Sequence, residues 1–193
     1  MKRRSMIALA LALTLLAGCG TKPSSSDSSS GNGSSVKDEV VAVLKAEPSN
    51  IDPHGNTELV AMTTQVQIFE TLVKKNENSE IVPCLAKSWE QVDDKTVRFH
   101  LRDDVTFHNG DKLTADDVVF TIQRATEKPS SAAIFSAFDA TNTKVVDDLT
   151  VDVATKQPFA AIFNYLTSTR GGIVSKRAVE EMGDDQFGRQ PVG

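Results

Sequence analysis

The sequence predicts a mixed fold of strands and helices, of the α/β or α+β class. Apolar residues alternate in some segments, as in half-buried strands, and recur every three or four positions in others, as in amphipathic helices. The two kinds of segment are interleaved along the chain, and no internal repeat is evident. With 193 residues, 39% of them hydrophobic and 24% charged, the composition is that of a globular protein of one or two domains.

The first elements of the body are predicted to be a strand, a loop and a helix. The run from Val40 to Ala46 is apolar nearly throughout, which favours a strand buried on both faces. Two prolines end this strand and place residues 47–55 in a loop. Helical spacing then predicts an amphipathic helix over residues 58–74, with Asn56 or Thr57 as its N-cap. Its apolar positions are Leu59, Met62, Val66, Phe69 and Val73.

Two hairpins are predicted further along the chain, the first of them with one buried face. Ile81–Pro83 is expected to lead into a short turn of helix and then into the first hairpin, whose second strand alternates strictly over residues 96–101. The second hairpin turns at Asp147-Asp148. Its apolar residues are Val145, Val146, Leu149, Val151 and Val153.

Three more helices follow from their start and stop signals. Thr114, followed by Asp116 and Asp117, is typical of a helix N-terminus, and the apolar face of this helix continues up to Pro129. Pro158 is predicted to start a second helix. Ser175 is predicted to cap a last short helix that ends at Gly183.

Residues 1–18 read as a lipoprotein signal peptide. Three basic residues precede an uncharged run of 13 residues, Met6–Gly18, which as a helix would extend about 20 Å, short of the roughly 30 Å of a bilayer core. The run ends in Leu16-Ala17-Gly18-Cys19, which resembles the lipobox of bacterial lipoproteins, with Cys19 as the lipidated residue. The alternative is an ordinary signal peptide followed by a chance cysteine.

Residues 19–35 are expected to form a lipidated, serine-rich tether. The stretch from Thr21 to Ser35 holds eight serines and nothing apolar, so it cannot bury enough surface to offset the entropy of ordering. As a flexible coil it would reach roughly 20 Å. The protein is therefore expected to work outside the cytoplasm, anchored to the outer face of the cell membrane or within the periplasm.

Several classes of function are disfavoured by composition and by missing motifs. Without the three basic residues of the leader, 18 basic residues face 26 acidic ones, so nucleic-acid binding is not expected. The common nucleotide-binding, hydrolase, zinc-protease and thiol-redox motifs do not occur, so neither catalytic residues nor a cofactor or metal are expected. The five Asp-Asp pairs fall at predicted turns and helix starts. His54 and His100 are expected at a surface or edge, and Cys84 is expected to act as a small buried hydrophobe.

Several segments between residue 40 and residue 193 form a recognisable set. The main ones are Ile81–Glu90, Val97–Arg102, Val105–Gly110 and Leu113–Phe120. Shorter ones are Glu47-Pro48, Asp52-Pro53, Phe69–Leu72 and Ile173–Lys176. In order and spacing these segments resemble family 5 of the extracellular solute-binding proteins of ABC transporters, which includes oligopeptide, dipeptide and nickel receptors. Most of these residues also have a structural explanation, such as a tight turn at Asn109-Gly110.

The resemblance implies that residues 36–193 are the amino-terminal part of a two-lobed periplasmic-binding-protein type II fold, including the extra subdomain of this family. In the family, the motif that begins Pro191-Val192-Gly193 continues through Thr-Gly-Pro-Tyr into a second lobe. The first strand would then have its sheet neighbours after Gly193, so this chain alone is expected to expose apolar surface and bind solute poorly.

The function implied is a lipid-anchored, monomeric receptor that captures short peptides and delivers them to an ABC permease with its ATPase subunits. The loop after the first strand is the best candidate for a cleft wall, particularly Glu47, Ser49 and Asn50, with Glu47 placed to face a peptide ammonium group. These polar residues could equally serve only to order a proline-containing loop. The alternatives are a receptor for nickel chelates or another non-peptide solute, and a surface lipoprotein that acts in signalling or adhesion.

Overall fold

The computed structural model describes residue 41 and residues 43–193, and the account below is limited to them. The predicted signal peptide, the lipidation site Cys19 and the tether lie outside the described residues. Within residues 43–193 there are six strands and six α-helices, with two short 3-10 turns at Ile134–Ala137 and Thr169–Gly171. The strands are β1 Val73–Lys75, β2 Ile81–Pro83, β3 Ala86–Asp93, β4 Thr96–Leu101, β5 Lys144–Asp147 and β6 Thr150–Ala154. The helices are α1 Leu59–Gln65, α2 Ala115–Glu127, α3 Pro129–Ala132, α4 Ile162–Leu166, α5 Lys176–Met182 and α6 Asp184–Phe187.

Both predicted hairpins are present, and together they form one antiparallel sheet. Strands β3 and β4 pair, β5 and β6 pair, and the sheet has the order β3-β4-β6-β5. Along β4 the burial alternates as predicted, with Phe99 and Leu101 fully buried and the residues between them half exposed. The other face is polar: Arg98 donates to the two carboxylate oxygens of Asp152 on β6 at 2.7 and 2.9 Å. One apolar and one polar face therefore fix the register of this sheet.

Helix α2 begins where its sequence signals predict and covers the apolar side of the body. Asp117 accepts hydrogen bonds from both the backbone N–H and the hydroxyl of Thr114, at 3.0 and 2.9 Å, which satisfies a donor at the helix start. The other Asp117 oxygen accepts from the backbone N–H of Lys176 at 2.9 Å, where α5 begins. The Ser175 hydroxyl caps α5 as predicted by accepting from Ala178 N–H.

The predicted first strand is wrong for residues 43–46, which adopt no strand. Val43 is 91% exposed and Leu44 is 40% exposed. A strand needs a partner for its backbone groups, and none of the strands in the described part of the chain pairs with these residues.

The predicted helix over residues 58–74 is also too long. Glu58, and not Asn56 or Thr57, is its N-cap, and the helix ends at Gln65. Val73 instead begins β1 and pairs with Pro83 of β2, because the Asn76 side chain accepts the backbone N–H groups of residues 78 and 80 and folds the chain into a hairpin. The helix was predicted too long because the apolar residues after Gln65 keep helical spacing by coincidence.

Two shorter predictions also need correction. No helical turn follows Pro83, because the N–H groups of Leu85 and Ala86 donate to the carbonyls of Thr71 and Leu72 and lead the chain directly into β3. Pro158 does not start a helix: residues 160–161 form a turn, and α4 begins at Ile162. Helix α6, directly after Gly183, was not predicted.

A buried ion pair ties the loop after residue 47 to α2. The guanidinium of Arg124 donates to both carboxylate oxygens of Asp52, at 2.8 and 2.6 Å, and each side chain is only 5% exposed. Burial acts to raise the pKa of Asp52, but the bonds from Arg124 and from the His54 backbone N–H outweigh it and hold this pKa below its usual value. Asp184, at the start of α6, accepts a further bond from Arg124 at 2.7 Å.

His54 lies inside this cluster, so its predicted surface position is wrong. The side chain is fully buried, and its Nδ1 is 2.8 Å from Nη1 of Arg124. A guanidinium can only donate, so Nδ1 must accept, and the ring is neutral with its proton on Nε2. Burial and the Arg124 charge lower the pKa of His54 to about 3.

The neutral state of His54 predicts a loss of stability in mild acid. The ring binds a proton near pH 6.5 in the unfolded chain and near pH 3 in the folded one. The contribution of the neutral ring to the free energy of unfolding is therefore fully present above pH 6.5 and is lost as the pH falls from 6.5 towards 3. From pH 7 to pH 5 the free energy of unfolding should fall by about 2 kcal/mol. Urea unfolding of the full-length protein across this range measures the effect. His54→Gln should remove most of it, whereas His100→Gln, on the polar sheet face, should retain it; an equal slope in both variants would contradict the assignment.

The Asp52–Arg124 pair should be far more costly to break than an exposed pair of the same kind. Asp52→Asn leaves the buried Arg124 charge without its main partner and should lower the free energy of unfolding by about 3 kcal/mol. Asp104→Asn is the matched control, since Arg102 donates to both oxygens of Asp104 at 2.9 Å but the pair is 42% and 65% exposed. Urea unfolding at neutral pH should show a clearly smaller loss for the control; equal losses would mean that burial does not matter here.

Candidate functional site

The three predicted cleft residues lie in one wall of a cavity of about 510 Å³. Glu47, Ser49 and Asn50 line it together with their neighbours Pro48 and Ile51. The other part of the lining, Gly188 and Arg189, follows directly after α6 and was not identified from the sequence. The cavity is thus built from two segments of the chain that are nearly 140 residues apart.

Ser49 and Asn50 are both used to shape the loop. The Ser49 backbone N–H donates to a carboxylate oxygen of Glu58 at 3.0 Å, and the Ser49 hydroxyl accepts from the Asn56 amide at 3.2 Å. The same amide donates to the Asn50 carbonyl at 2.7 Å, and the Asn50 side chain accepts from Asp52 N–H at 3.2 Å. The bonds from Ser49 and Asn56 lower the pKa of Glu58, which stays ionised and keeps the loop in place.

Glu47 differs from its two neighbours. Its side chain is exposed, and within the described residues no hydrogen bond or ion pair engages it. A carboxylate that is not used to order the loop retains its full capacity to accept hydrogen bonds from a ligand. Arg189, also exposed, brings a positive charge to the other part of the lining.

Close backbone contact joins the two parts of the lining. The Ile51 N–H donates to the Gly188 carbonyl at 2.7 Å. A Cβ atom on Gly188 would lie 3.0 Å from the Asn50 Cβ, so a side chain there would push the loop away. Gly188 itself is the signal in the sequence, since a glycine allows a close approach of two backbone segments.

A second cavity, of about 310 Å³, lies beside Cys84 and carries no catalytic arrangement. The Cys84 Sγ is 3.7 Å from a carboxylate oxygen of Glu70, and burial together with the Glu70 charge raises the thiol pKa. A protonated, buried thiol is a poor nucleophile, in agreement with the predicted structural role of Cys84.

The described residues offer binding rather than bond-making chemistry at the candidate site. The lining of the Glu47 cavity supplies a carboxylate, a guanidinium, an amide, a hydroxyl and backbone groups, and the hydroxyl is bonded to an amide and not to a base. No group of three His, Cys, Asp or Glu residues in residues 43–193 is placed to hold a metal ion. Over the same residues, every helix is too short or too polar to cross a bilayer.

Comparison with known proteins gives consistent matches. Residues 80–193 match the middle region of the bacterial extracellular solute-binding proteins, family 5. The periplasmic oligopeptide-binding protein OppA of Haemophilus influenzae is 36% identical over 103 residues, which are 53% of this chain and 19% of OppA. The solved structure of H. influenzae OppA in complex with RPPGFSPFR superimposes with a TM-score of 0.67 at 29% identity, over 77% of this chain and 33% of that one.

A structural neighbour with a different ligand matches equally well. MoaA from A. tumefaciens R10, solved in complex with mannopinic acid, superimposes with a TM-score of 0.68 at 33% identity, over 75% of this chain and 31% of that one. The chain therefore spans between about a fifth and a third of the length of these three matches. Since the family match covers more than half of the chain and the fold agrees with that of solved members, this protein belongs to family 5 of the bacterial extracellular solute-binding proteins.

Proposed function

We propose that this protein is the lipid-anchored substrate-binding component of an ABC importer and that it captures short peptides for transport. The observation that carries the proposal is the cavity that joins Glu47 to Arg189, in a family where the relative OppA is an oligopeptide-binding protein. Glu47 is free of local bonds within the described residues, whereas Ser49 and Asn50 order the wall that holds it.

The cavity chemistry fits a ligand with a positive and a negative end. A short peptide has an ammonium group that Glu47 can accept and a carboxylate that Arg189 can bind, both by charge-assisted hydrogen bonds. Backbone groups of the wall can bond the peptide main chain as an added strand would, which gives affinity without strict dependence on side chains. Binding of this kind leaves the peptide unaltered.

In the whole protein, a second lobe would close over the solute by hinge motion and mark the loaded state for a permease with its ATPase subunits. Diacylglycerol on Cys19 would hold a monomeric receptor at the outer face of the membrane or in the periplasm, where its periplasmic relatives work. Residues 1–18, 19–35 and 36–193 would then be leader, tether and binding body.

A non-peptide solute is the second candidate. It is favoured by the match to MoaA, whose solved complex contains mannopinic acid at a similar level of structural agreement. An acid also carries a carboxylate, so Arg189 would suit a solute of this kind.

Glu47 should contribute directly to peptide affinity. In the full-length protein, Glu47→Gln should weaken the binding of trialanine roughly tenfold, because an ionic hydrogen bond to the ammonium becomes a neutral one. Calorimetry with trialanine and with N-acetyl-trialanine, which lacks the ammonium, measures this effect. Only trialanine should bind less tightly.

Glu77→Gln, at the exposed turn between β1 and β2, is the matched control and should leave both affinities unchanged. Unaltered trialanine binding by Glu47→Gln would remove Glu47 from the site. Binding of mannopinic acid but not of trialanine by the unmodified protein would favour the second candidate.

Lipidation should depend on Cys19 alone. Cys19→Ser removes the thiol that carries the lipid, so the variant should leave the membrane fraction, and intact mass spectrometry should find no acyl mass. Cys84→Ser should stay in the membrane fraction, because Cys84 is buried in the body. An unmodified Cys19 in the wild-type protein would contradict the anchor.

A further inference from the structure

Arg124 contacts both segments that form the Glu47 cavity, although it does not line the cavity itself. It donates to Asp52, which is the next residue after the wall formed by residues 47–51. It also donates to Asp184 at 2.7 Å, and Asp184 is the first residue of α6. Gly188 and Arg189, the other wall, follow directly after that helix.

The path from Asp184 to the cavity is short and well packed. The Gly188 N–H donates to the Asp184 carbonyl at 2.9 Å, so one helical turn joins the ion pair to the wall. Phe187, fully buried, lies with its ring 5.6 Å from the Arg124 guanidinium carbon and 6.2 Å from the ring of Phe69. A displacement of Asp184 would therefore be passed to Gly188 and to its 2.7 Å bond with Ile51.

The two carboxylate partners of Arg124 differ in their exposure to solvent. The Asp52 side chain is 5% exposed and is held by two bonds, whereas the Asp184 side chain is 51% exposed and is shared with Lys128. Water and salt screen an exposed pair much more than a buried one. The pairing with Asp52 is thus a fixed attachment, and the bond to Asp184 is one that the solvent can weaken.

We propose that Arg124 is a positioning residue for solute binding: it holds the two walls of the Glu47 cavity at their spacing, and its bond to Asp184 is the adjustable part. This inference rests on the proposed function, because it takes this cavity to be the solute site. Arg124 would thus affect the affinity for the solute without contacting the solute.

Hydrogen exchange at the Ile51 amide tests the spacing without any ligand. In the full-length protein, Asp184→Asn should raise the exchange rate of the Ile51 N–H about fivefold or more. Losing about 1 kcal/mol from the attachment raises the population of the open state, in which the bond from Ile51 to Gly188 is broken, by this factor. Asp185→Asn, the matched control, removes the same charge one residue away and should leave the rate unchanged. The Phe99 amide in β4 should not respond in either variant, which separates local opening from unfolding.

The salt dependence of the Ile51 exchange rate and the affinity for trialanine are the two other measurements. Raising NaCl from about 50 mM to about 500 mM should speed exchange at Ile51 in the wild-type protein and in Asp185→Asn, but not in Asp184→Asn. Trialanine should bind Asp184→Asn roughly threefold to tenfold less tightly than it binds Asp185→Asn, by calorimetry.

The outcomes separate this inference from the proposed function. An unchanged Ile51 exchange rate in Asp184→Asn overturns the positioning role, whatever the affinity does. Faster exchange with unchanged trialanine affinity also overturns it, provided that Glu47→Gln does weaken binding. If neither Glu47→Gln nor Asp184→Asn weakens binding, the proposed site itself is wrong and the inference fails with it.

Discussion

The buried pair between Asp52 and Arg124 is the interaction on which the candidate site depends. It joins an irregular loop to the longest helix of the described residues, across 72 positions of sequence, with both charges almost fully removed from water. A buried pair contributes little net stability compared with apolar packing, but it tolerates only one arrangement of its partners. We infer that its value here lies in placing the loop, because residues 47–56 form no strand or helix that could place it otherwise.

Features that are set by residues within the same strand or helix were predicted correctly. The strict alternation of residues 96–101 gave the buried face of β4, and Thr114 with Asp117 gave the start of α2, because strand faces and helix caps are set within a few residues. The errors concern contacts outside the segment in question. Val73 leaves the helical pattern to pair with Pro83, and residues 43–46 pair with no strand of the described residues; periodicity reports neither.

The same division applies to the site. Glu47, Ser49 and Asn50 share one loop and could be identified together from the sequence. Arg189 meets them only after folding, and His54, which was predicted at a surface or edge, is buried against Arg124. Local sequence shows which residues can bind, whereas the contact of residues far apart in the chain decides which of them share a cavity.

The environment of Cys84 determines how this thiol behaves in an oxidising compartment outside the cytoplasm. Disulfide exchange requires a thiolate, and a thiol that is buried beside Glu70 with a raised pKa supplies almost none at neutral pH. An extracytoplasmic protein with an unpaired cysteine would ordinarily be at risk of forming mixed disulfides or covalent dimers. The packing around this one side chain makes the described part of the body compatible with an oxidising environment although its cysteine is not in a disulfide.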